Sequence, residues 1–154
     1  MKGLKIKDIS VKAKQGLYGI VFTSWNPSIV QDLLKETKKE LISQGVDKAN
    51  IYLKEVPGAF ELPLATQFMA EKEGILSVIS LGAIIRGDTP HFDFISSSCL
   101  EGLQEVSLKT RIPVICGVLT TNTIEQAEER SDPNKMNKGK EFALTALNMV
   151  DSLS

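Results

Sequence analysis

A single histidine occurs in the chain, His91, and it sits where chemistry can be done. It follows Arg86-Gly87-Asp88-Thr89-Pro90, a polar turn that closes the apolar run ending at Ile85. Thr89 fits a helix N-cap and Pro90 the first helical position, so His91 is expected in the opening turn of a helix. Free backbone N–H groups at such a start can hold an anion. The same positive end disfavours a protonated imidazole, which leaves the ring ready to accept or donate a proton near neutral pH. Gly87 is read as supplying a backbone geometry closed to other residues. The plainer alternative is a polar residue that merely opens a helix. The two cysteines, Cys99 and Cys116, give neither a disulfide framework nor, with one histidine, any metal-ligand spacing.

The elements that must position this turn can be read on either side of it. A strand at Leu17–Phe22 leads into the turn Thr23-Ser24-Trp25-Asn26-Pro27, and a helix follows from about Ser28 to Gln44 with Val30, Leu33, Leu34, Thr37 and Leu41 inward. Ile51–Val56 is a second strand, followed by the turn Pro57-Gly58-Ala59-Phe60-Glu61. A helix from Leu62 to about Lys72 then carries Leu64, Ala65, Phe68 and Met69 on one side. Leu76–Ile85 alternates little, as a strand covered on both faces does. The helix opened near His91 runs to Thr110, with Ile95, Cys99, Leu103 and Val106 inward. Val114–Leu119 is a fourth strand, Ile124–Arg130 a short helix capped by Thr123, Ser131–Asn137 a loop, and Lys138 to about Ser152 the last helix, with Phe142, Leu144, Leu147 and Val150 as core. Alternating strands and helices predict a small doubly wound sheet of four parallel strands flanked by helices, in a single domain. Ligands then sit beyond the carboxyl ends of the strands, at SWN, PGAFE, RGDTPH and TTNT. Residues 1–16, with Leu4, Ile6, Ile9 and Val11 spaced among lysines, read as an arm or short edge strand ahead of a domain spanning 17–154.

Composition narrows the function classes. Hydrophobic residues make up 42% of 154, enough for a full core without staples. Eighteen basic and nineteen acidic residues leave a net charge of -1, so no basic field is available for nucleic acid or a membrane surface. The N-terminal segment lacks the apolar core of a signal peptide, and a cytoplasmic location is expected.

The set VPGAFELP, LGAIIRGDTPHFD, PVICGVLTTNTIEQAEER and NKGKEFALTAL, in this order and spacing, resembles the lumazine synthase family over roughly Leu17 to Val150. The resemblance implies a flavodoxin-like fold and the condensation of 5-amino-6-(D-ribitylamino)uracil with 3,4-dihydroxy-2-butanone 4-phosphate to 6,7-dimethyl-8-ribityllumazine, with loss of phosphate and water, in riboflavin biosynthesis. It implies no cofactor and no metal. His91 matches the family's proton-transfer histidine. Arg130 matches the arginine on the substrate phosphate, where a guanidinium offers a planar fork. Asp88 and Thr89 match the phosphate-side pair, and Lys138 the lysine of the NKG segment. Trp25 matches an aromatic position stacked on the pyrimidine. Ala59, Phe60 and Glu61 match the turn around the ribityl chain, and Ala83, Ile84 and Ile85 the backbone along the uracil edge.

The chain departs from the family at Cys116 and Trp25, both aligned with phenylalanine in many members, so one wall of the ring pocket is thinner and the other larger. The loop SDPNKMNKG lacks the glycines common before NKG. By the same resemblance, the partners are small-molecule substrates and further copies of the chain: pentamers with sites between neighbours, extending to sixty-subunit shells, and association with riboflavin synthase. Trp25, Glu61 and His91 would come from one chain, Cys116 and Arg130 from the next. Two other readings stand beside it: an archaeal-type riboflavin synthase, which the HFD segment disfavours, and a flavin-binding or cage protein without turnover.

Overall fold

The computed structural model describes residues 8–154. Leu4 and Ile6 of the expected arm lie outside the described residues. Its second half is not extended: α1 (Val11–Lys14) is one helical turn, in which Ser10 Oγ accepts from Ala13 N at 3.1 Å. Ser10 Oγ in turn donates to Asp151 on the last helix, and Tyr18 Oη donates to Ala13 O at 2.8 Å. Ile9 is therefore buried while Val11 faces solvent, because local capping and docking set the geometry rather than strand pairing.

Four parallel strands follow in the order β2-β1-β3-β4: β1 (Leu17–Thr23), β2 (Ile51–Val56), β3 (Ile75–Ile85) and β4 (Val114–Thr121). Helices α2 (Pro27–Ser43), α3 (Leu62–Ala70), α4 (His91–Thr110), α5 (Ile124–Ser131) and α6 (Lys138–Ser152) link and cover them, with short 3₁₀ turns at Lys48–Asn50 and Ala59–Glu61. The strand order turns back on itself at β1, which has β2 on one side and β3 on the other. The crevice at such a switch is where doubly wound sheets bind ligands.

β1 and β3 are buried on both faces, whereas β2, at the edge, has Tyr52 to Glu55 exposed. Tyr18, Ile20 and Phe22 of β1 point with Ile79, Leu81 and Ala83 of β3 into one cluster, closed by α2, α5 and α6. Val21, Val78, Ile84 and Val118 point the other way, into a cluster closed by α3 and α4. The inward set expected for α2 is buried throughout, Thr37 included, whose hydroxyl donates to Gly139 O at 3.0 Å. At that crossing a β-carbon on Gly139 would lie 2.7 Å from Leu33 O, so α2 and α6 touch backbone to backbone. In α6, Leu144, Leu147 and Val150 are buried and Phe142 packs against the same cluster.

The face expected for α3 needs correction. Leu64 and Phe68 are 66% and 69% exposed; the buried side is Leu62, Thr66, Met69 and Ala70. Thr66 takes the inward place because its hydroxyl lies 2.7 Å from the hydroxyl of Ser80 on β3, which removes the cost of burying both. An apolar periodicity cannot register a polar pair of this kind. Gly45, at positive φ, closes α2 as expected, but α3 ends at Ala70 with Glu71 as its cap, and Gly74, also at positive φ, serves the turn into β3 rather than the helix end. Among the described residues no helix is long and apolar enough to cross a membrane.

Candidate active site

The four turns at the carboxyl ends of the strands are bonded into one rim. Between β1 and β2, Ser24 N donates to Val56 O at 2.8 Å and Trp25 N to Pro57 O at 3.2 Å. Between β1 and β3, the side chain of Asn26 donates to Ala83 O at 3.0 Å, with Asn26 itself left-handed at φ 57. Between β3 and β4, Arg86 N donates to Thr121 O at 2.9 Å and Arg86 Nε to Asn122 Oδ1 at 2.9 Å. The rim therefore runs PGAFE, SWN, RGDTPH, TTNT, across the switch between β1 and β3.

Trp25 stands on this rim 65% exposed. A β-carbon on Gly58 would lie 2.5 Å from its ring, so the indole lies against the bare backbone of Gly58. This close approach fixes the ring and leaves aromatic surface open to a planar ligand. Glu61 Oε2 accepts from Gly58 N at 3.0 Å, which holds the carboxylate beside the same turn. Ala59 is buried and Phe60 exposed. Ala83 and Ile84 are buried and Ile85 half-buried; the carbonyl of Ala83 already carries the bond from Asn26.

His91 is exposed in the first turn of α4. The helix opens one residue later than the sequence suggested: Pro90 is the cap, and Thr89 Oγ1 accepts from His91 N at a long 3.4 Å. Asp88 and Thr89 are exposed beside it. Gly87 does not use the conformation expected of it. It is absent from the positive-φ residues, and a β-carbon there would meet nothing within 4 Å.

Arg130 and Lys138 belong to the opposite layer. Arg130 lies near the end of α5, whose Ala127 is buried in the α2 and α6 cluster, and its Nη1 donates to Gln126 O at 3.0 Å. Lys138 opens α6 and pairs with Glu141 at 2.8 Å. Thr123 caps α5 as expected, Oγ1 accepting from Gln126 N at 3.2 Å while Gln126 Oε1 accepts from Thr123 N at 3.2 Å. The loop between the two cations needs no glycine: Asp132 O accepts from Lys135 N at 3.0 Å and Asn137 N at 3.1 Å, and Asn137 takes the left-handed φ of 44. One chain thus gathers Trp25, Glu61 and His91 on its rim. Arg130 and Lys138 hang from the layer on the other face of the sheet.

Cys116 lies on β4, which among the described residues pairs with β3 alone. Its residue surface is exposed while its thiol is shielded, and desolvation pushes the thiol up. A raised thiol is a poor nucleophile. Three rim residues escaped the sequence reading: Asn26, Gly58 and Arg86. Asn before Pro27 was visible as a turn, but its reach to Ala83 was not. Gly58 looked like turn chemistry, not a floor for an indole.

The sequence model of the 6,7-dimethyl-8-ribityllumazine synthase family matches residues 17–154, all four rim turns and both cations included. With a parallel four-stranded sheet whose rim carries the one histidine, this match places the chain in the family of 6,7-dimethyl-8-ribityllumazine synthases, transferases of riboflavin biosynthesis.

Proposed function

We propose that the chain condenses 5-amino-6-(D-ribitylamino)uracil with 3,4-dihydroxy-2-butanone 4-phosphate to 6,7-dimethyl-8-ribityllumazine, releasing phosphate and water. The observation that carries this reading is the rim: an indole laid against Gly58, a carboxylate and an imidazole along one ligand-binding edge. The pyrimidine stacks on Trp25, with its edge along the backbone of Ala83 to Ile85. Glu61 and the turn Ala59-Phe60 receive the ribityl chain, the carboxylate oxygen not bonded to Gly58 accepting from its hydroxyls. Cys116 closes one wall. His91 moves the protons: the amine attacks the ketone carbonyl, water leaves to give an imine, phosphate is eliminated, and the ring closes with loss of a further water. A placed acid–base group contributes about 10²–10⁴-fold. Holding the two substrates together supplies much of the rest.

Arg130 and Lys138 take the phosphate, with Asp88 and Thr89 on the same side and Thr89 donating through hydroxyl and backbone. Each cation keeps N–H donors beyond those engaged with Gln126 O or Glu141 with which to do so. Their place on the other layer supports a site completed by a second copy of the chain. The exposed Phe60, Leu64, Phe68 and Phe94 support the same reading, since so much apolar surface calls for a partner. We assign a pentamer, in which neighbours share sites, and a sixty-subunit shell built from pentamers; light scattering that shows a lone pentamer removes the shell. The reading extends to association with riboflavin synthase, which co-sedimentation of the two proteins tests. It takes residues 17–154 as the domain, with α1 docked on it through Ser10 and Asp151, and places the chain in the cytoplasm.

The test is the condensation assay with both purified substrates, read by lumazine absorbance. Product formation that His91→Ala cuts by about 10²–10⁴-fold supports the reading. Riboflavin formed from lumazine alone selects the riboflavin synthase alternative. Binding of flavin with no turnover selects the non-catalytic one.

A further inference from the structure

We propose that Arg86 is the positioning residue for His91. The inference rests on the reading that His91 moves protons in the reaction. Arg86 holds three things at once. Its Nε donates to Asn122 Oδ1 at 2.9 Å, its Nη2 and Nη1 reach the two carboxylate oxygens of Asp93 at 3.2 and 3.5 Å, and its guanidinium carbon lies 4.3 Å from the ring centre of Phe92. Its own N–H is bonded to Thr121 O at 2.9 Å, so the residue is anchored to β4 before its side chain begins.

Phe92 and Asp93 directly follow His91 in the first turn of α4. Beyond the backbone bonds from Asp93 N and Phe94 N to Pro90 O, at 3.0 and 3.4 Å, that turn has little else to fix it. Pro90 makes no side-chain cap, the bond from His91 N to Thr89 is 3.4 Å long, and Gly87 stands in open space. Phe92 is half-buried against the α3 and α4 cluster, so the guanidinium presses a side chain that already touches the core. The imidazole between these restraints is carried by a turn pinned on its next two residues.

The ion pair is exposed, at 43% and 60% for the two side chains, and exposed pairs add little to stability. What Arg86 supplies is geometry, which a planar fork with several donors gives and a lysine ammonium gives only in part. A misplacement of about 1 Å can cost 10²-fold in rate.

The experiment measures kcat and KM for both substrates in Arg86→Met, Arg86→Lys, Asp93→Asn and His91→Ala. It also follows the imidazole Cε1–H resonance, unambiguous in a chain with one histidine. Arg86→Met is expected to lower kcat by about 10- to 100-fold while both KM values stay within about twofold. Its imidazole line should move or broaden, and Arg86→Lys should regain part of the rate. Should Arg86→Met fail to fold, Asp93→Asn carries the same test, with a smaller fall in kcat and the same unmoved KM. A wild-type kcat and imidazole line in Asp93→Asn and whichever Arg86 variant folds overturns the proposal. So does a rise in KM for the phosphorylated ketone at unchanged kcat, which would make Arg86 a binding residue. If His91→Ala keeps its rate, the reading of the site fails first and the inference falls with it. A severe loss in His91→Ala beside an undisturbed Arg86→Met sinks the inference alone.

Discussion

Trp25, Glu61 and His91 hang from turns that bond to one another across the strand ends, whereas Arg130 and Lys138 hang from helix ends on the opposite layer, each held by a group of its own helix. The first group is set in place by the sheet: its spacing follows strand register, about 4.8 Å from one turn to the next. The second group is set by helix caps and can rotate off its present partners. In the proposed reaction the rigid half would orient the attacking amine, the ketone carbonyl and the proton carrier, and the adjustable half would grip and release the charged leaving group. A scaffold that kept both kinds of group on one rim would have to choose between precision and release.

The sharpest way to break this comparison is to disable the halves separately. His91→Ala should lose about 10²–10⁴-fold in rate. Arg130→Ala should chiefly raise KM for the phosphorylated ketone, because a guanidinium grips phosphate in the ground state as well as later. Unfolding the two variants together and refolding them as mixed oligomers should restore function at about a quarter of the contacts between copies, as random pairing requires. No recovery in the mixture would mean that the halves do not meet across chains.

A smaller effect probes the rigid half alone. In Gly58→Ala the new methyl meets the indole of Trp25 at 2.5 Å, and the ring must swing away. Losing a stacked contact of about 0.5–1.5 kcal/mol corresponds to a rise of about two- to twelvefold in KM for the pyrimidine, with a shift in tryptophan emission. Unchanged emission and KM would show that the glycine does not set the ring.

The smallest effect compares the two faces of the sheet rather than the two halves of the site. Each face buries a weakly acidic side chain: Tyr18 beside α1, and Cys99 beneath α4. Burial pushes both up, Cys99 to about 12, with the Asp151 carboxylate adding to the shift at Tyr18. The folded chain therefore keeps protons that the unfolded chain releases. The stability so held is complete below the ordinary thiol value of about 9 and is lost as pH climbs towards 12, by at most about 1.4 kcal/mol per pH unit for each group. Urea melts between pH 8 and 11 should show the decline, and Cys99→Ala should flatten it while catalysis at neutral pH stays put.

Much of this architecture is legible in the sequence because its signals are local. Apolar runs bounded by turn residues mark all four strands, Thr123 announces the start of α5, and Gly45 marks the end of α2. The rim positions of Trp25 and His91 follow from strand ends. What stayed hidden depends on partners far along the chain. Thr66 turns inward only because Ser80 waits for it. Ile9 leaves an apparent strand pattern because Ser10 docks on Asp151. Arg86 could have been any exposed arginine until Asn122 and Asp93 were found around it. The separation of Arg130 from His91 is likewise a property of layers, which spacing along a chain does not encode.

The backbone contact at Gly139 bears on how this protein can change. Lys138 is held by α6, and α6 keeps its register through Gly139 seated against Leu33 and through the bond from Thr37. In the connection that precedes it Asn137 shares that seat, capping α6 and donating to Glu36 Oε2 on α2 at 3.3 Å, while Asp132 to Met136 are held by bonds within the loop and to α5. The length and composition of that earlier part can therefore drift, and surfaces where copies meet can be remade there. The phosphate-side lysine would not move, because the anchor of its helix lies on α2.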